Sequence, residues 1–259
     1  MAEKAILVDT SKCIACRGCQ VACKQWNELE AEETKFFVAD SGYQNPPDLS
    51  ANTYCLVTFQ LSEKDNGDPD WLFRKKQCMH CTDAACVSVC PKSGEAMQTD
   101  ESTGFVWVNT DNCIGCEQCV SACPFSIPRM SEEDSAKSHK CWACLDRIKG
   151  EINSDVVKED PIPACVKTCP TGTLEYGDRS DIVSKANARK TKLEEAGKTA
   201  YVYGADEGLH HIYVLLREPS SYGLPSAEEL NSSSRRAYLR YLREEGKRYA
   251  KRFLGKIAV

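Results

Sequence analysis

The chain has 259 residues and a formal net charge of −5, and no apolar run approaches the roughly eighteen residues that a membrane-spanning helix needs. The acidic balance and the lack of a nucleic-acid-reading motif argue against binding to DNA or RNA. Cysteine is the unusual residue type, with seventeen copies.

Sixteen of the cysteines fall into four quartets along the chain. The quartets are Cys13, Cys16, Cys19 and Cys23; Cys78, Cys81, Cys86 and Cys90; Cys113, Cys116, Cys119 and Cys123; and Cys141, Cys144, Cys165 and Cys169. The first and third share the spacing C-x2-C-x2-C-x3-C, in which three thiolates hold one 4Fe-4S cluster and the fourth binds another cluster. The sequence therefore predicts four 4Fe-4S clusters and a function in electron transfer.

Zinc sites and disulfides are weaker interpretations of these cysteines. Structural zinc usually joins two C-x2-C pairs about a dozen or more residues apart, whereas these quartets are more crowded. Disulfides suit neither the odd cysteine count nor a chain start that lacks a signal-peptide core. The remaining cysteine, Cys55, lies in an alternating apolar stretch and is interpreted as a small core residue without a ligand role.

Basic residues close to the quartets are candidates for compensating the negative charge of the clusters. They are Lys12, Arg17, Lys24, Lys75, Lys76, Lys92, Arg129, Lys140, Arg147 and Lys167. Charge and hydrogen bonds near the sulfur atoms help to set reduction potentials, although a solvated surface base is the favoured interpretation for any single one. His80 and His139 lie beside cysteines, where tuning of a cluster and simple exposure are the two interpretations and exposure is the favoured one.

The predicted elements begin with a helix at the first quartet. Proline follows the other quartets, but Lys24 takes its place here, so the helix is expected to continue through residues 24–33. Residues 53–61 and 71–75 alternate as strands around a DNGDPD turn, which predicts a β-hairpin.

Shorter elements follow along the chain. They are a second hairpin (95–98 with 105–109), a strand at 173–176, a polar helix at 181–196 and an apolar strand at 211–216. Ser180 is the candidate N-cap of the helix and Gly197 its C-terminal stop. The helix is expected to pack against the strand 211–216.

The end of the chain is basic, aromatic and patterned for a helix. Residues 235–256 contain nine Lys or Arg and two Glu, and Tyr238, Leu242, Tyr249 and Phe253 share one helical face. An amphipathic helix packed on this protein or on a catalytic subunit is the favoured interpretation. The alternative is docking to an anionic membrane surface or an acidic partner.

The chain contains an internal repeat. Residues 8–23 align with 108–123, and the ends of the second and fourth quartets also match. The chain therefore looks like a duplicated two-cluster ferredoxin. The repeat by itself suggests that quartets adjacent in sequence form the modules.

Further motifs carry a family resemblance. They are CRGCQVACKQWNE, NPPDLS at 45–50, WLFRKKQCMHC, CIGCEQCVSACPFSIPR, KCWACLDRI, PACVKTCPTGTLEYGD and YGLP at 222–225. Through them the chain resembles the iron-sulfur (beta) subunit of formate dehydrogenases of the molybdenum/tungsten bis-pterin class, from about residue 5 to residue 224. The cysteine spacings also suit subunits of nitrate, polysulfide and dimethyl sulfoxide reductases, whereas NPPDLS and CKQWN point to formate dehydrogenase.

The resemblance implies an electron-transfer subunit that is not an enzyme by itself and has no catalytic residues. It would take electrons from a molybdenum/tungsten bis-pterin alpha subunit that oxidises formate, and pass them to a cytochrome, a membrane subunit or a soluble carrier. The cofactors implied are four 4Fe-4S clusters, with no pterin or haem on this chain. No nucleic acid and no transmembrane span are expected.

The family also implies how the quartets share clusters: the first and fourth pair, and they enclose the second and third. The implied ligand sets are Cys13, Cys16, Cys19 and Cys169 for cluster one; Cys141, Cys144, Cys165 and Cys23 for cluster two; Cys78, Cys81, Cys86 and Cys123 for cluster three; and Cys113, Cys116, Cys119 and Cys90 for cluster four. Spacing predicts the quartets and the exchanged fourth ligands. Only the resemblance implies the nesting.

The implied fold class is α+β: two nested bacterial-ferredoxin-like modules with inserted β-hairpins and a C-terminal helical tail. The expected domains are residues 1–33 with 130–178 (outer module), 34–69 (insertion with a hairpin strand), 70–129 (inner module), 179–224 (helix-strand region) and 225–259 (basic tail).

The location of the protein is inferred from the same resemblance. Membrane-bound relatives carry a transmembrane helix after the YGLP segment, whereas this chain has the basic tail, so a soluble or peripheral protein is expected. Because some relatives are exported with their catalytic subunit, the periplasm is favoured over the cytoplasm. Two other functions stay open: the same relay in another molybdenum/tungsten reductase complex, and a free-standing polyferredoxin.

Overall fold

The computed structural model of the chain describes residues 3–34, 43–63, 67–150 and 161–230. The strands in these ranges are β1 (Lys4–Asp9), β2 (Leu56–Glu63), β3 (Pro69–Lys76), β4 (Met97–Thr99), β5 (Val106–Val108), β6 (Arg129–Met130), β7 (Ser138–His139), β8 (Leu174–Asp178), β9 (Tyr201–Tyr203) and β10 (His211–Leu215). The helices are α1 (Gly18–Trp26), α2 (Ala85–Ser88), α3 (Gln118–Ala122), α4 (Leu145–Lys149), α5 (Ala164–Lys167) and α6 (Arg179–Glu195). This mixture of helices and strands is that of an α+β fold.

The largest sheet joins the two ends of the described chain. Its strand order is β8-β1-β10-β9, with β1 parallel to β10 and antiparallel to β8. All residues of β1 except the first are buried, as expected of a central strand. Val8 pairs with Leu174, so the strand that leads to Cys13 ends beside the strand that follows Cys169.

Helix α6 covers one face of this sheet. The buried apolar side chains of this layer are Ala5, Leu7, Ile182, Ala186, Leu193, Ala200, Ile212 and Val214. The predicted packing of the polar helix on the strand near residues 211–216 is confirmed.

The ends of α6 show one wrong prediction and one that is confirmed. Ser180 is not the N-cap, because the helix begins at Arg179 directly after β8. The Arg179 N–H donates to the Glu3 carbonyl (2.8 Å), so the sheet hydrogen bonding leads straight into the helix. Gly197 follows the helix with φ of 72°, in the left-handed conformation of a C-terminal stop.

The opposite face of the sheet forms the main core. Ile6 and Val8 of β1 and Tyr213 of β10 belong to this core, and Phe105 reaches it from the start of β5. Half-buried thiols of Cys19, Cys81 and Cys169 pack against the same side chains. The core and the cysteine sites are therefore in direct contact.

Both predicted hairpins are confirmed. Strands β2 and β3 are antiparallel, with Val57 opposite Lys75, and β4 and β5 are antiparallel, with Met97 opposite Val108. The predicted strand after the last quartet is β8. A third hairpin, β6–β7, follows the third quartet and was not predicted.

The first helix is shorter than predicted. Helix α1 ends at Trp26, and residues 24–33 are not one continuous helix. Glu28 adopts a left-handed backbone (φ 51°), the Leu29 N–H donates to the Lys24 carbonyl (3.0 Å), and these features form a helix-ending Schellman turn.

The helices of the quartets pack in two pairs. Helix α1 of the first quartet contacts α5 of the fourth, and α2 of the second contacts α3 of the third. Within the described ranges, no helix combines the length and the apolar character needed to cross a membrane. The predicted basic helix at 235–256 lies outside the described residues.

Candidate metal centres

Each quartet contains backbone in the left-handed conformation between its cysteines. Ala15 and Arg17 have φ of 54° and 61° in the first quartet, and the repeat-equivalent Gly115 and Glu117 have 70° and 59° in the third. His80 has φ of 48° in the second quartet, and Ala143 and Cys144 behave likewise in the fourth. Such residues turn the chain sharply, which lets several thiols of one short loop surround a common space.

A cavity of about 450 Å³ lies at the first quartet. It is lined by Cys13, Cys16 and Cys19 of that quartet and by Cys169 of the fourth, while Cys23 is not among its lining residues. Burial, followed by the thiols of Cys16 and Cys169, raises the pKa of Cys13. The structure thus brings together the four thiols expected for cluster one.

A second cavity, of about 360 Å³, lies at the third quartet. Its thiols are Cys113, Cys116, Cys119 and, from the second quartet, Cys90. Burial, followed by the thiols of Cys116, Cys113 and Cys90, raises the pKa of Cys119. These are the four thiols expected for cluster four.

The thiols expected for cluster two also lie together. Burial, followed by the thiols of Cys165 and Cys141, raises the pKa of Cys144. A hydrogen bond with Cys55, burial and the thiols of Cys141 and Cys144 raise the pKa of Cys23.

The remaining set, expected for cluster three, is interconnected in the same way. Burial, followed by the thiols of Cys78, Cys86 and Cys123, raises the pKa of Cys81. Each of the four sets thus combines three cysteines of one quartet with one cysteine of another.

The chemistry of these thiols suits an iron cluster. Burial and mutual repulsion raise the pKa of Cys141 to about 12 and that of Cys123 to about 11, so the free thiols bind protons at neutral pH. Iron binds the thiolate and releases the proton, and it supplies the positive charge that a buried set of thiolates needs. Among the described residues no three potential ligands converge on a single-ion site, whereas each of the two cavities is lined by four thiols.

Electrostatic interactions between thiols link the four expected sets in the order one, two, three, four. Besides burial, Cys165 (expected for cluster two) is among the groups that raise the pKa of Cys19 (expected for cluster one). Cys78 (expected for cluster three) likewise raises the pKa of Cys141 (expected for cluster two), and Cys119 (expected for cluster four) raises that of Cys86 (expected for cluster three). Cys16 and Cys116, which belong to the two terminal sets, are exposed. The sequence did not predict this linear order, because it depends on how distant segments pack.

Hydrogen-bond donors surround several sulfur atoms. The backbone N–H of His80 donates to Cys78 Sγ and that of Ser138 to Cys113 Sγ, each at 3.4 Å. The Asn27 side-chain amide lies 3.6 Å from Cys23 Sγ. Such donors stabilise negative charge on sulfur and help to set the reduction potential.

Five of the ten bases named near the quartets form ion pairs within the described part of the chain. Lys12, Lys24, Lys76, Lys92 and Arg129 pair with carboxylates. These contacts agree with the favoured interpretation that most such bases have no special link to a cluster.

Two other bases, Lys75 and Lys140, are buried near the thiols. Lys75 is 4% exposed and Lys140 5%. Lys140 Nζ donates to the carbonyl oxygens of Val106 and Cys141. Burial lowers the pKa of Lys75, but the surrounding thiols, Cys165 foremost, outweigh burial and raise that pKa well above its usual value.

Cys55 is buried, as the sequence predicted, but its surroundings are not simply apolar. Its Sγ lies 3.5 Å from the carbonyl oxygen of Cys19, and its thiol hydrogen-bonds with Cys23. No local pattern predicts this position, because Cys55 lies more than thirty residues from either partner in the chain.

The expected exposure of His80 is wrong. Its ring is fully buried, stacks with His211 and accepts the Val106 N–H at Nδ1 (3.0 Å). Complete burial, followed by the nearby Lys140 charge, lowers the pKa of His80 well below its usual value. His139 is half-buried, and its Nδ1 lies 3.0 Å from the Tyr54 hydroxyl. His80 therefore packs the second quartet against β5 and β10.

Two family models match the chain. Both are described as a 4Fe-4S dicluster domain, and they match residues 12–94 and 69–179. The matches together span all sixteen quartet cysteines. The chain therefore carries 4Fe-4S ferredoxin-type domains.

Several curated proteins of similar sequence are named as subunits of formate dehydrogenases. The iron-sulfur subunit of the nitrate-inducible formate dehydrogenase of Escherichia coli K12 is 40% identical over 238 residues, which are 90% of this chain and 76% of that subunit. The formate dehydrogenase subunit beta of Megalodesulfovibrio gigas is 37% identical, over 85% of this chain and 97% of that subunit. The formate dehydrogenase 2 subunit beta (cytochrome c-553) of Nitratidesulfovibrio vulgaris is 34% identical, over 85% and 96%.

Proposed function

The chain belongs to the family of formate dehydrogenase iron-sulfur subunits, and on that basis we propose that it relays electrons from formate oxidation through four 4Fe-4S clusters. The observation that carries the proposal is the pair of cavities, each lined by three thiols of one quartet and one thiol of another. A quartet that exchanges its fourth ligand is the arrangement of two-cluster ferredoxins.

The proposed ligands are the four sets that the resemblance implied. They are Cys13, Cys16, Cys19 and Cys169; Cys141, Cys144, Cys165 and Cys23; Cys78, Cys81, Cys86 and Cys123; and Cys113, Cys116, Cys119 and Cys90. The contacts between α1 and α5 and between α2 and α3 support nested modules over modules of sequence neighbours. When bound, the clusters supply one-electron carriers; the residues of this chain hold them and shield them from water.

We infer the electron path from the electrostatic interactions between the proposed ligand sets. The thiols proposed for cluster one interact with those for cluster two, those for cluster two with those for cluster three, and those for cluster three with those for cluster four. The exposed Cys16 and Cys116 belong to the two ends of that series. One end would receive electrons from the catalytic subunit and the other would deliver them to the acceptor.

We also propose a catalytic subunit and an electron acceptor as partners of this chain. A molybdenum or tungsten bis-pterin alpha subunit would oxidise formate, and this chain would take no part in that chemistry. The acceptor would be a cytochrome, a membrane subunit or a soluble carrier, and the cytochrome c-553 in the name of one relative supports the first of these. We place the complex in the periplasm in preference to the cytoplasm, as a soluble or peripheral assembly, and cell fractionation tests this location.

The decisive experiment uses the complex as it is purified under anaerobic conditions. We expect a large catalytic subunit, close to sixteen iron atoms per copy of this chain, and reduction of the clusters by formate, followed by electron paramagnetic resonance (EPR). Reduction by another donor but not by formate would favour the relay of a different reductase. Purification as a stable monomer would favour a free-standing polyferredoxin.

The nested ligand sets have their own test. Cys169→Ser should remove the cluster at the first quartet, and Cys90→Ser the cluster at the third, each losing one EPR component and about a quarter of the iron. If each substitution instead disturbs only its own quartet, the modules do not exchange ligands in this way.

A further inference from the structure

Lys75 is near one quartet in the sequence and near another quartet in the structure. In the chain it precedes Cys78 of the second quartet, but in the structure it lines the cavity of the first, together with Val57 and Phe73. Strand β3 carries it there, opposite Val57 in the hairpin. The side chain is 4% exposed, so its ammonium group is inside the protein.

The backbone at Lys75 is held firmly in place. The Tyr213 hydroxyl, on β10, donates to the Lys75 carbonyl oxygen (2.7 Å) and accepts from the Gln77 side-chain amide (2.8 Å). Tyr213 is itself fully buried. The backbone from which the Lys75 side chain extends is therefore held by the central sheet.

The electrostatic surroundings of Lys75 are thiols. Those that act on it most strongly are Cys165, Cys55, Cys141 and Cys19, in that order. Cys19 belongs to cluster one, and Cys141 and Cys165 belong to cluster two. By contrast, the neighbouring Lys76 pairs with the carboxylate of Asp48 (2.6 Å).

A fixed cation at this place acts on both clusters. Reduction adds an electron to a buried anionic centre, and a nearby positive charge stabilises the reduced state more than the oxidised state. Solvent screening is weaker in the protein interior than at the surface, so a buried charge acts more strongly than an exposed one. Its effect falls with distance and is largest for the two clusters whose thiols it faces.

We propose that the ammonium group of Lys75 is a fixed charge shared by clusters one and two, which raises the reduction potentials of both. This inference rests on the proposed function, because it requires the clusters to be present. It assigns to Lys75 a role that its place in the chain, beside the second quartet, does not suggest. Lys75 is a potential-setting residue and not a ligand.

Lys140 provides an internal comparison. It is buried like Lys75, but the thiols it acts on are Cys86 and Cys123, which both belong to cluster three. Replacing either lysine by methionine removes one buried charge and keeps a similar length. The two substitutions should therefore affect different clusters.

The experiment is a potentiometric titration of the purified complex, followed by EPR. In Lys75→Met and Lys75→Gln, the reduction potentials of clusters one and two should be lower than in the wild type. The EPR signals of these two clusters are assigned beforehand, as the signals that disappear in Cys16→Ser (cluster one) and in Cys144→Ser (cluster two). The expected shift is at least tenfold in the reduction equilibrium, which is 59 mV for one electron. Lys75→Arg, which keeps the charge, and the adjacent Lys76→Met should leave all four potentials close to those of the wild type.

Iron and sulfide analysis precedes each titration. Unchanged potentials in a Lys75→Met or Lys75→Gln protein with full iron content overturn the inference, and so does a shift in Lys75→Arg equal to that in Lys75→Met. If Lys75→Met does not retain all clusters, the potentials of Lys75→Gln are used to test the inference, because its amide preserves hydrogen bonding. A wild-type complex without iron would overturn the proposed function itself. The iron content thus distinguishes a failure of the proposed function from a failure of the inference about Lys75.

Discussion

Left-handed backbone positions are where single residues shape the cluster sites. Gly115 and Ala15 occupy equivalent places in the repeat and both have positive φ, yet only one is glycine. A Cβ atom added to Gly115 would lie 2.5 Å from the carbonyl oxygen of Ala136. The third quartet needs glycine there because the segment before β7 crosses its loop closely.

Gly115→Ala should therefore destabilise the protein. We expect a loss on the order of 1–3 kcal/mol from the strained backbone, together with displacement of the segment at Ala136 and faster loss of iron. Gly94→Ala is the matched control, since Gly94 has φ of 79° but nothing within 4 Å of an added Cβ. Anaerobic thermal unfolding checks both variants, and equal losses would show that the close approach to Ala136 does not matter.

The lysines illustrate how residue roles depend on burial. Lys75 and Lys76 are adjacent in sequence, and no local pattern separates them. One side chain is buried among thiols and the other pairs with Asp48. Only the position of β3 in the folded chain makes this distinction.

At the scale of elements, α6 is attached to the start of the first quartet by a buried ion pair. Arg189 Nε donates to Asp9 Oδ2 (2.9 Å), and Arg189 Nη2 donates to Ser11 Oγ (2.8 Å). The Asp9 side chain is fully buried, while that of Arg189 is 31% exposed. The helix thus fixes the turn that leads into Cys13.

Arg189→Met should leave the Asp9 carboxylate buried with the hydrogen bonds from Ser11 and with Lys12 at 3.6 Å as its remaining cationic partner among the described residues. We expect a loss of about 2–3 kcal/mol, below the range for a fully buried pair because Arg189 is partly solvated. Lys185→Met removes the exposed pair with Glu175 and should cost about 0–1 kcal/mol. A cost for Arg189→Met no larger than for Lys185→Met, measured by thermal unfolding, would mean that the Asp9 pair does not anchor α6.

The β4–β5 hairpin is joined to α4 by Asp100. Its carboxylate accepts hydrogen bonds from Ser102 Oγ (2.6 Å) and Thr103 N (3.0 Å) in the turn and pairs with Lys149 of α4. Burial raises the pKa of Asp100, but the hydrogen bonds from Lys149, Ser102 and Thr103 outweigh burial and lower it. A lowered folded-state pKa means that this stabilisation is present above the usual aspartate range and is lost only as the pH falls through the folded-state value.

Asp100→Ala should cost about 1–3 kcal/mol, because it leaves donors in the turn unsatisfied. The cost should be the same at pH 7 and pH 5.5, since the carboxylate is ionised at both. Asp206→Ala, on the exposed side of the loop before β10, should change stability by less than about 0.5 kcal/mol. A cost for Asp100→Ala that shrinks between pH 7 and pH 5.5 would contradict the lowered pKa.

For the whole molecule, the clusters are expected to be part of the folding free energy. The thiol sets lie between the paired helices α1–α5 and α2–α3 and against the main core. Metal bound only by the folded chain stabilises the fold by its binding free energy. Without iron, the cavities and the protonated buried thiols remain.

Removal of the clusters with a chelator under oxidising conditions should abolish the cooperative thermal transition. The exposed core should then bind a hydrophobic dye, and anaerobic reloading with iron and sulfide should restore the transition. A chain that keeps the same Tm without iron would show that the core alone suffices. Circular dichroism and dye fluorescence measure the two effects.

The sequence alone determined the four quartets and both predicted hairpins. Ligand spacing within a loop and turn chemistry between adjacent strands involve few residues, so their pattern is readable locally. The β4–β5 hairpin is one of these local features, and it brings the end of the second quartet close to the third. The motifs between the quartets also pointed to the formate dehydrogenase family, to which the chain belongs.

Only the tertiary structure decided how the first and fourth quartets meet. That meeting depends on pairing β1 with β8, far apart in the chain, and no local pattern selects one distant strand over another. The same packing buries Lys75 and His80 and brings Cys169 to the thiols of the first quartet. Burial and long-range pairing are properties of the folded chain as a whole, and the sequence expresses them only through the sum of its contacts.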